Sequence, residues 1–274
     1  MSLSIASLNS GSNGNCYYVG NDKDAILVDA GISCREIEKR LIRLKLSIAT
    51  IRAVFISHEH IDHIKGIEVL SAKFRLPVYI TQPMLGNSSL RLDNQLVNSF
   101  KGFEPLQIGS LQVHPFPKMH DAADPYSFMV EYSGVKVGVF TDIGVVCENL
   151  IRYFKQCHAA ILEANYDEDM LENGRYPYHL KKRISGDNGH LSNRQAVELL
   201  INHRPTALSH LLLAHLSKEN NTPEIAVELF QKHAGNTQII HASRFNETEV
   251  YRIVGKPQLK PKPKPVKVVQ ATLF

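Results

Sequence analysis

The chain has 274 residues, is 43% apolar and carries a net charge of +4, enough for one large core or two small ones, with no apolar run near the ~20 residues of a membrane span. Its four cysteines, Cys16, Cys34, Cys147 and Cys157, contain no Cys-x-x-Cys pair, which favours reduced, buried thiols over a disulfide frame or a zinc knuckle. Residues 1–14 lack a basic head followed by an apolar stretch, so export is not expected and the expected compartment is the cytoplasm.

Along the chain, short β-rich runs alternate with a few amphipathic helices. Strands are predicted at 3–8, 16–19, 25–28, 53–56, 78–80, 111–116, 128–132, 135–140, 159–162, 207–213, 238–241 and 248–253. Ser33-Cys-Arg-Glu36 has capping-box spacing and opens a helix to about residue 44, while Thr222-Pro223 opens another that Gly235 closes. Further helices are expected at about 64–74 and 193–203. Many strands with few helices argue for two stacked sheets with helices outside, a layered sandwich. Residues 1–254 read as one domain. From Gly255 to Phe274 five lysines alternate with prolines and no acid occurs, which favours an extended leash. That tail holds more than the whole net charge and leaves −1 for residues 1–254, so any polyanion affinity must come from local patches or the tail.

The densest chemistry is Ser57-His-Glu-His-Ile-Asp-His63, three histidines and an aspartate directly after the apolar run 53–56. The histidines begin where the strand stops, so a turn can aim their imidazoles at one point. His58 and His60 reach one cation; Asp62 and His63, past the turn, reach a second. Imidazole and carboxylate suit borderline divalent ions, Zn or Mn, with Fe also compatible.

This His-x-His-x-Asp-His motif resembles that of the metallo-β-lactamase superfamily, and the resemblance runs from residue 1 to about 250. It implies an α/β fold of four layers, an αββα sandwich of two mixed β-sheets flanked by helices, with further ligands at later strand ends. In Leu27-Val-Asp-Ala-Gly31, Asp29 would orient a metal-bound histidine from behind. His120, in Lys118-Met-His-Asp-Ala-Ala-Asp-Pro-Tyr126, is favoured as third ligand over His114, whose side chain is committed to one face of a strand. Asp142, in Phe140-Thr-Asp-Ile-Gly144, would bridge both ions. His215, in Leu213-Ala-His-Leu-Ser-Lys-Glu-Asn-Asn221, stands at a strand end, whereas His210 lies within the strand. The implied set is His58, His60 and His120 on one ion, Asp62, His63 and His215 on the other, and Asp142 shared. Two such cations hold an activated water and clamp an in-line displacement, which is hydrolysis, with Asp62 and His190 as the candidate catalytic residues.

The superfamily cuts lactams, thioesters and phosphodiesters, so fold alone does not name the substrate. Two features favour nucleic acid, with DNA preferred over RNA. Arg183-Ile-Ser-Gly-Asp-Asn-Gly-His-Leu-Ser-Asn-Arg-Gln-Ala196 resembles the histidine motif of the superfamily's nucleases and would set His190 at the mouth of the site as a proton donor. The helix opening near Asn193 would attract a phosphate, and Lys181, Lys182 and Arg183 would line an entering strand. His179 reads as a loop residue. The chain end, Gln270-Ala-Thr-Leu-Phe274, resembles the peptide that docks bacterial repair proteins on the DNA sliding clamp, through Gln270, Leu273 and Phe274. Ser10-Gly-Ser-Asn-Gly-Asn-Cys16, together with the His190 and His215 blocks, is most like the bacterial YycJ/WalJ group, which implies a 5′-end DNA exonuclease linked to repair. A small-molecule thioester or ester hydrolase, or a non-catalytic clamp-binding module, are the competing expectations.

Overall fold

The computed structural model describes residues 1–255, so the tail beyond, with Gln270, Leu273 and Phe274, lies outside the described residues. Its strands are β1 (Ser2–Asn9), β2 (Cys16–Gly20), β3 (Ala25–Val28), β4 (Ile51–Phe55), β5 (Val78–Tyr79), β6 (Val97–Asn98), β7 (Leu106–Ile108), β8 (Leu111–Pro117), β9 (Tyr126–Tyr132), β10 (Val135–Phe140), β11 (Ala159–Glu163), β12 (His210–Ala214), β13 (Gln238–His241) and β14 (Tyr251–Val254). The helices are α1 (Cys34–Arg43), α2 (Ile61–Ile64), α3 (Ile67–Phe74), α4 (Gln82–Asn87), α5 (Glu148–Phe154), α6 (Glu168–Asn173), α7 (Tyr178–Ser185), α8 (Asn193–His203) and α9 (Pro223–Gln231).

Two seven-stranded sheets form, ordered β14-β1-β2-β3-β4-β5-β6 and β13-β12-β11-β10-β9-β8-β7. Each is mixed: β3 to β6 and β10 to β13 run parallel, while the remaining pairs are antiparallel. Side-chain alternation shows how the layers stack. On β12, Leu212 joins the core between the sheets with Ile5, Ile26, Phe55 and Phe128. Its neighbours Leu211 and Leu213 turn the other way, against Phe154 of α5, Leu200 of α8 and Phe230 of α9. The β11 strand does the same, with Ile161 inward and Leu162 outward. A strand buried on both faces reads as an unbroken apolar run, and parallel strands covered by helices read that way. The expected αββα sandwich is therefore the fold observed.

Several local expectations are corrected. The helix expected at 64–74 is split: α2 ends at Ile64, and Gly66, whose N–H donates to Ala30 O, lies so close to Ile32 that a Cβ would fall 2.0 Å from its carbonyl oxygen. Only half of the Ser33–Glu36 capping box forms, because the Glu36 carboxylate turns to Lys39 at 3.0 Å; the reciprocal box stands at Ser192–Gln195. The strand expected from 207 begins at His210, since Leu208 N–H turns back to Pro205 O, and α9 stops at Gln231, short of Gly235. His179 lies on α7, not in a loop. Cys147 is half-buried, while Cys16, Cys34 and Cys157 are buried; all four thiols are free. None of the described helices is long and apolar enough to cross a membrane.

Candidate metal centre

The parallel strands all end on one edge of the sandwich, and their registers set polar residues abreast. Val28 on β3 pairs with Phe55 on β4, and Asp29 and His58 follow just beyond. In the other sheet Phe140 pairs with Leu162 and Glu163 with Ala214, which levels Asp142, Glu163 and His215. Asp29, Asp142 and His215 all adopt left-handed backbone, with φ of 62°, 54° and 57°. Non-glycine residues in that region cost of order 1–3 kcal/mol each and persist where the surroundings over-determine them, as at functional sites. The turn swings each side chain off its strand axis and into the gap between the sheets.

Five histidines and one aspartate converge there as the two expected triads. His58, His60 and His120 bring one ring nitrogen each to within 4.8 Å of one another, as do the ligand atoms of Asp62, His63 and His215. Asp142 lies between them, its Oδ2 3.3 Å from His63 Nε2 and its Oδ1 4.0 Å from His120 Nε2. It also stands 3.3 Å from His215 Nδ1. His114, by contrast, points at Glu131 on β9, and His210 stacks near Tyr251 at the far end of β12, so neither enters the site.

His63 and His120 are held from behind. Asp29 accepts from His63 Nδ1 at 2.7 Å and from both the amide and hydroxyl of Ser57, each at 2.8 Å. Gly189 O, 3.0 Å away, accepts from His120 Nδ1, which frees Nε2 for the site. Asn15 Nδ2 lies 3.0 Å from His63 Nε2 and 3.2 Å from Asp62 Oδ2, and Tyr17 Oη donates to Asn15 Oδ1 at 3.0 Å. Ser10 Oγ continues that chain, accepting the His215 amide at 2.7 Å. Such partners fix the tautomer and raise ligand basicity.

These residues fit divalent metal. His120 Nε2, His215 Nε2 and Asp142 Oδ2 are buried without a hydrogen-bond partner, and a buried polar group left so costs roughly 1–3 kcal/mol. All three face the same space between the triads. The electrostatics agree. Burial works against charge on His63, but Asp142, Asp29 and Asp62 outweigh it and raise the ring to about 10, and His215 is likewise raised by Asp142, Asp62 and Glu163. Burial would raise Asp142 too, yet the charges of His215, His63 and His58 hold it well below the carboxylate range. A hole that electronegative suits a cation. His120, lowered to about 4 chiefly by burial, keeps a neutral lone pair at neutral pH.

Three participants escaped the sequence reading. Glu163, fully buried at the end of β11, accepts from His190 Nδ1 at 2.8 Å and His215 Nδ1 at 3.0 Å through one oxygen. Its other oxygen takes the amides of Ile143 and Leu191, at 2.6 and 3.3 Å. The signal was available, because Glu163 follows an apolar strand as Asp29 and Asp142 do. Asn15 was visible only as part of a motif. Lys118, buried, donates to Thr141 O at 2.7 Å; burial depresses it, while Asp142, Asp29, Glu163 and Asp62 favour its charge.

His190 sits at the mouth, partly exposed, with Nδ1 on Glu163 and 3.8 Å from Asp142. The phosphate contact expected at Asn193 is corrected: the residue is 2% exposed, its amide donates to Tyr166 O, and its side chain exchanges hydrogen bonds with Asn221. Those donors are spent inside the fold. Lys181, Lys182 and Arg183 share α7, where Lys181 reaches Glu172 O and Arg183 pairs with Asp121 at 2.6 Å.

A strand-end cluster of histidines and aspartates between two sheets defines a metal-dependent hydrolase. Residues 24–215 match the family described as the Beta-lactamase superfamily domain, and the chain belongs to it. It is 35% identical over 233 residues to Exodeoxyribonuclease YycJ of Bacillus anthracis, covering 82% of this chain and 87% of that protein. Exodeoxyribonuclease WalJ of Streptococcus pneumoniae serotype 2 is 33% identical over 224 residues, 80% of this chain and 83% of the relative. Among solved structures, the metallo-β-lactamase fold protein YhfI from Bacillus subtilis superposes with a TM-score of 0.72 at 16% identity, covering 92% of this chain and all of that one.

Proposed function

We propose that the protein is a dinuclear metal-dependent phosphodiesterase acting on DNA, an exonuclease working from 5′ ends in cytoplasmic repair or replication. The reading rests on one arrangement: His190, backed by Glu163, stands beside two ligand triads that share Asp142. The resemblance to two proteins named exodeoxyribonucleases supports it. His58, His60 and His120 would hold one cation, Asp62, His63 and His215 the other, with Asp142 between them and Zn, Mn or Fe as the ion. Bound there, such ions supply Lewis acidity and an activated water.

The chain's own residues do the rest. Glu163 takes the Nδ1 proton of His190 in a hydrogen bond, which turns Nε2 outward to pass a proton to a leaving oxygen. Lys118 packs behind the triads with its ammonium group on Thr141 O, and Asp29 and Asn15 keep His63 aimed. Lys181 and Lys182 line the approach for DNA; Arg183 is braced by Asp121 and serves the loop that carries His120. Residues 1–254 form the catalytic domain. Gln270, Leu273 and Phe274 of the tail 255–274 dock on the sliding clamp in this reading, so deleting 270–274 should abolish capture by purified clamp while cleavage of short oligonucleotides continues.

The test is incubation with manganese or zinc and duplexes labelled at either end, beside matched RNA. Release of mononucleotides from the 5′ label first is expected, with His190→Ala slower by roughly 10²–10⁴-fold. Intact metal loading with no cleavage of any nucleic acid would refute the assignment, and turnover of a thioester in its place would move the protein to small-molecule hydrolysis.

A further inference from the structure

Past His190 the fold leaves a cleft of about 590 Å³, walled by α6, α7 and α8 and lined in part by Tyr166, Tyr178, Lys181, Lys182, Ser185 and Gln195. That volume is typical of a small-molecule site. Tyr178 is 74% exposed, and the Lys182 ammonium sits 5.6 Å from its ring centre. An aromatic face with a cation beside it is what a nucleobase and its phosphate require. The charge is available: Lys181 spends one of its three donors on Glu172 O, and of the two glutamates that also line the cleft Glu168 is occupied by Ser192 Oγ at 3.0 Å and Arg194 at 2.9 Å, which leaves two ammonium groups against Glu172.

The cleft is also continuous with the catalytic strands. Tyr166 pairs with Ser192 in a parallel bridge; it lies three residues beyond Glu163, and Ser192 lies two beyond His190. Two residues of chain span at most roughly 6.6 Å, so Ser192, whose bridge partner Tyr166 lines the cleft, lies within about one nucleotide's length of His190.

We infer that this cleft seats the terminal nucleotide of the DNA strand, the one released when the bond beside His190 breaks. The inference rests on the nuclease reading above. Water's oxygen bonds to phosphorus, the P–O3′ bond breaks, His190 gives its proton to O3′, and the proton lost by water restores it. The cut strand keeps the new 5′-phosphate. The freed mononucleotide is left with its base on Tyr178 and its own 5′-phosphate on Lys181 and Lys182, which makes the cleft a reader of phosphorylated 5′ ends.

The test uses the full chain and short phosphorothioate single-stranded DNA, carrying either a 5′-phosphate or a 5′-hydroxyl, followed by fluorescence anisotropy. The phosphorylated probe is expected to bind more tightly. Tyr178→Ala should weaken it roughly tenfold or more, and Lys182→Ala should erase the difference between the probes. Both positions are exposed, so unchanged melting temperatures are expected. Hydrolysis of bis(p-nitrophenyl) phosphate, which is too small to reach the cleft from the metal centre, should proceed at the wild-type rate in Tyr178→Ala. Unchanged binding in the variants, or an equal loss for both probes, would overturn the terminal seat. Failure of the nuclease reading looks different, because wild-type protein would then cut neither DNA nor bis(p-nitrophenyl) phosphate.

Discussion

Replacing Glu163 with glutamine removes one charge, keeps the shape and forces a choice. The carboxylate accepts four hydrogen bonds, two histidine Nδ1 on one oxygen and two backbone amides on the other. A glutamine offers one acceptor. If its oxygen keeps the amides of Ile143 and Leu191, its NH₂ faces His190 and His215, and both rings must present a bare Nδ1. The His215 proton then moves to Nε2, the buried unpartnered atom aimed at the metal space, and blocks it. Disturbing such a supporting partner costs about 10–100-fold in metal affinity. In the other orientation NH₂ opposes two amides, and two unmet donors cost about 1–3 kcal/mol each, about 2–6 kcal/mol together. In the first orientation His190 also loses its orienter, and turnover should fall by about 10²–10⁴-fold; in the second it keeps only a neutral acceptor in place of a carboxylate. Chemical denaturation of the chelated protein reads the stability branch; metal titration reads the affinity branch. A variant with wild-type stability, metal affinity and turnover would show that Glu163 does not set the protons of His190 and His215.

Metal should stabilise the fold: at a hundredfold excess over Kd the gain is about 2.7 kcal/mol, which for a domain of this size raises Tm by roughly 5–10 °C. Asp142→Asn should lose most of that shift, since Asp142 faces both triads, and a full shift in the variant would contradict the shared role. In the chelated protein Glu163 contributes to the acid limb. Burial pushes its carboxyl up, but the charge and hydrogen bond of His190 and the hydrogen bond from His215 outweigh it and hold it at about 2. A depressed carboxyl stabilises above its unfolded value of about 4.3 and loses that contribution as pH falls toward 2, so the stability gap between wild type and Glu163→Gln should narrow across that window; a constant gap would contradict the depression. Gly31→Ala would place a Cβ 1.6 Å from Asp62 O, where only backbone movement gives relief. A loss of about 3 kcal/mol or more is expected in urea unfolding, and a loss under about 1 kcal/mol would mean that the two loops are not locked together.

Much of this centre was legible because its causes are local. An apolar run followed at once by His, Asp or Glu marks a strand end facing a functional edge; that pattern picked out His58, and the resemblance to the metallo-β-lactamase superfamily picked out Asp29, Asp142 and His215 at the same kind of position. The same pattern at Glu163 was passed over, because a single glutamate after a strand has no motif of its own. Long periodic helices such as α8 were readable to the residue, whereas α4, α6 and α7, at six to eight residues, carry too few turns for a periodicity to emerge.

What the sequence determined by itself was the ligand chemistry, the strand-and-helix alternation and hence the sandwich, since these follow from spacing, capping and apolar runs within a few residues. Only the tertiary structure decided which groups meet. The register of β10, β11 and β12 brings Glu163 between His190 and His215, pairs Arg183 with Asp121, spends the amide of Asn193 on Tyr166, and opens the cleft beside Tyr178. Those contacts join residues far apart in the chain, and nothing in a local pattern encodes how two strands align across a sheet until the whole core packs and selects one register.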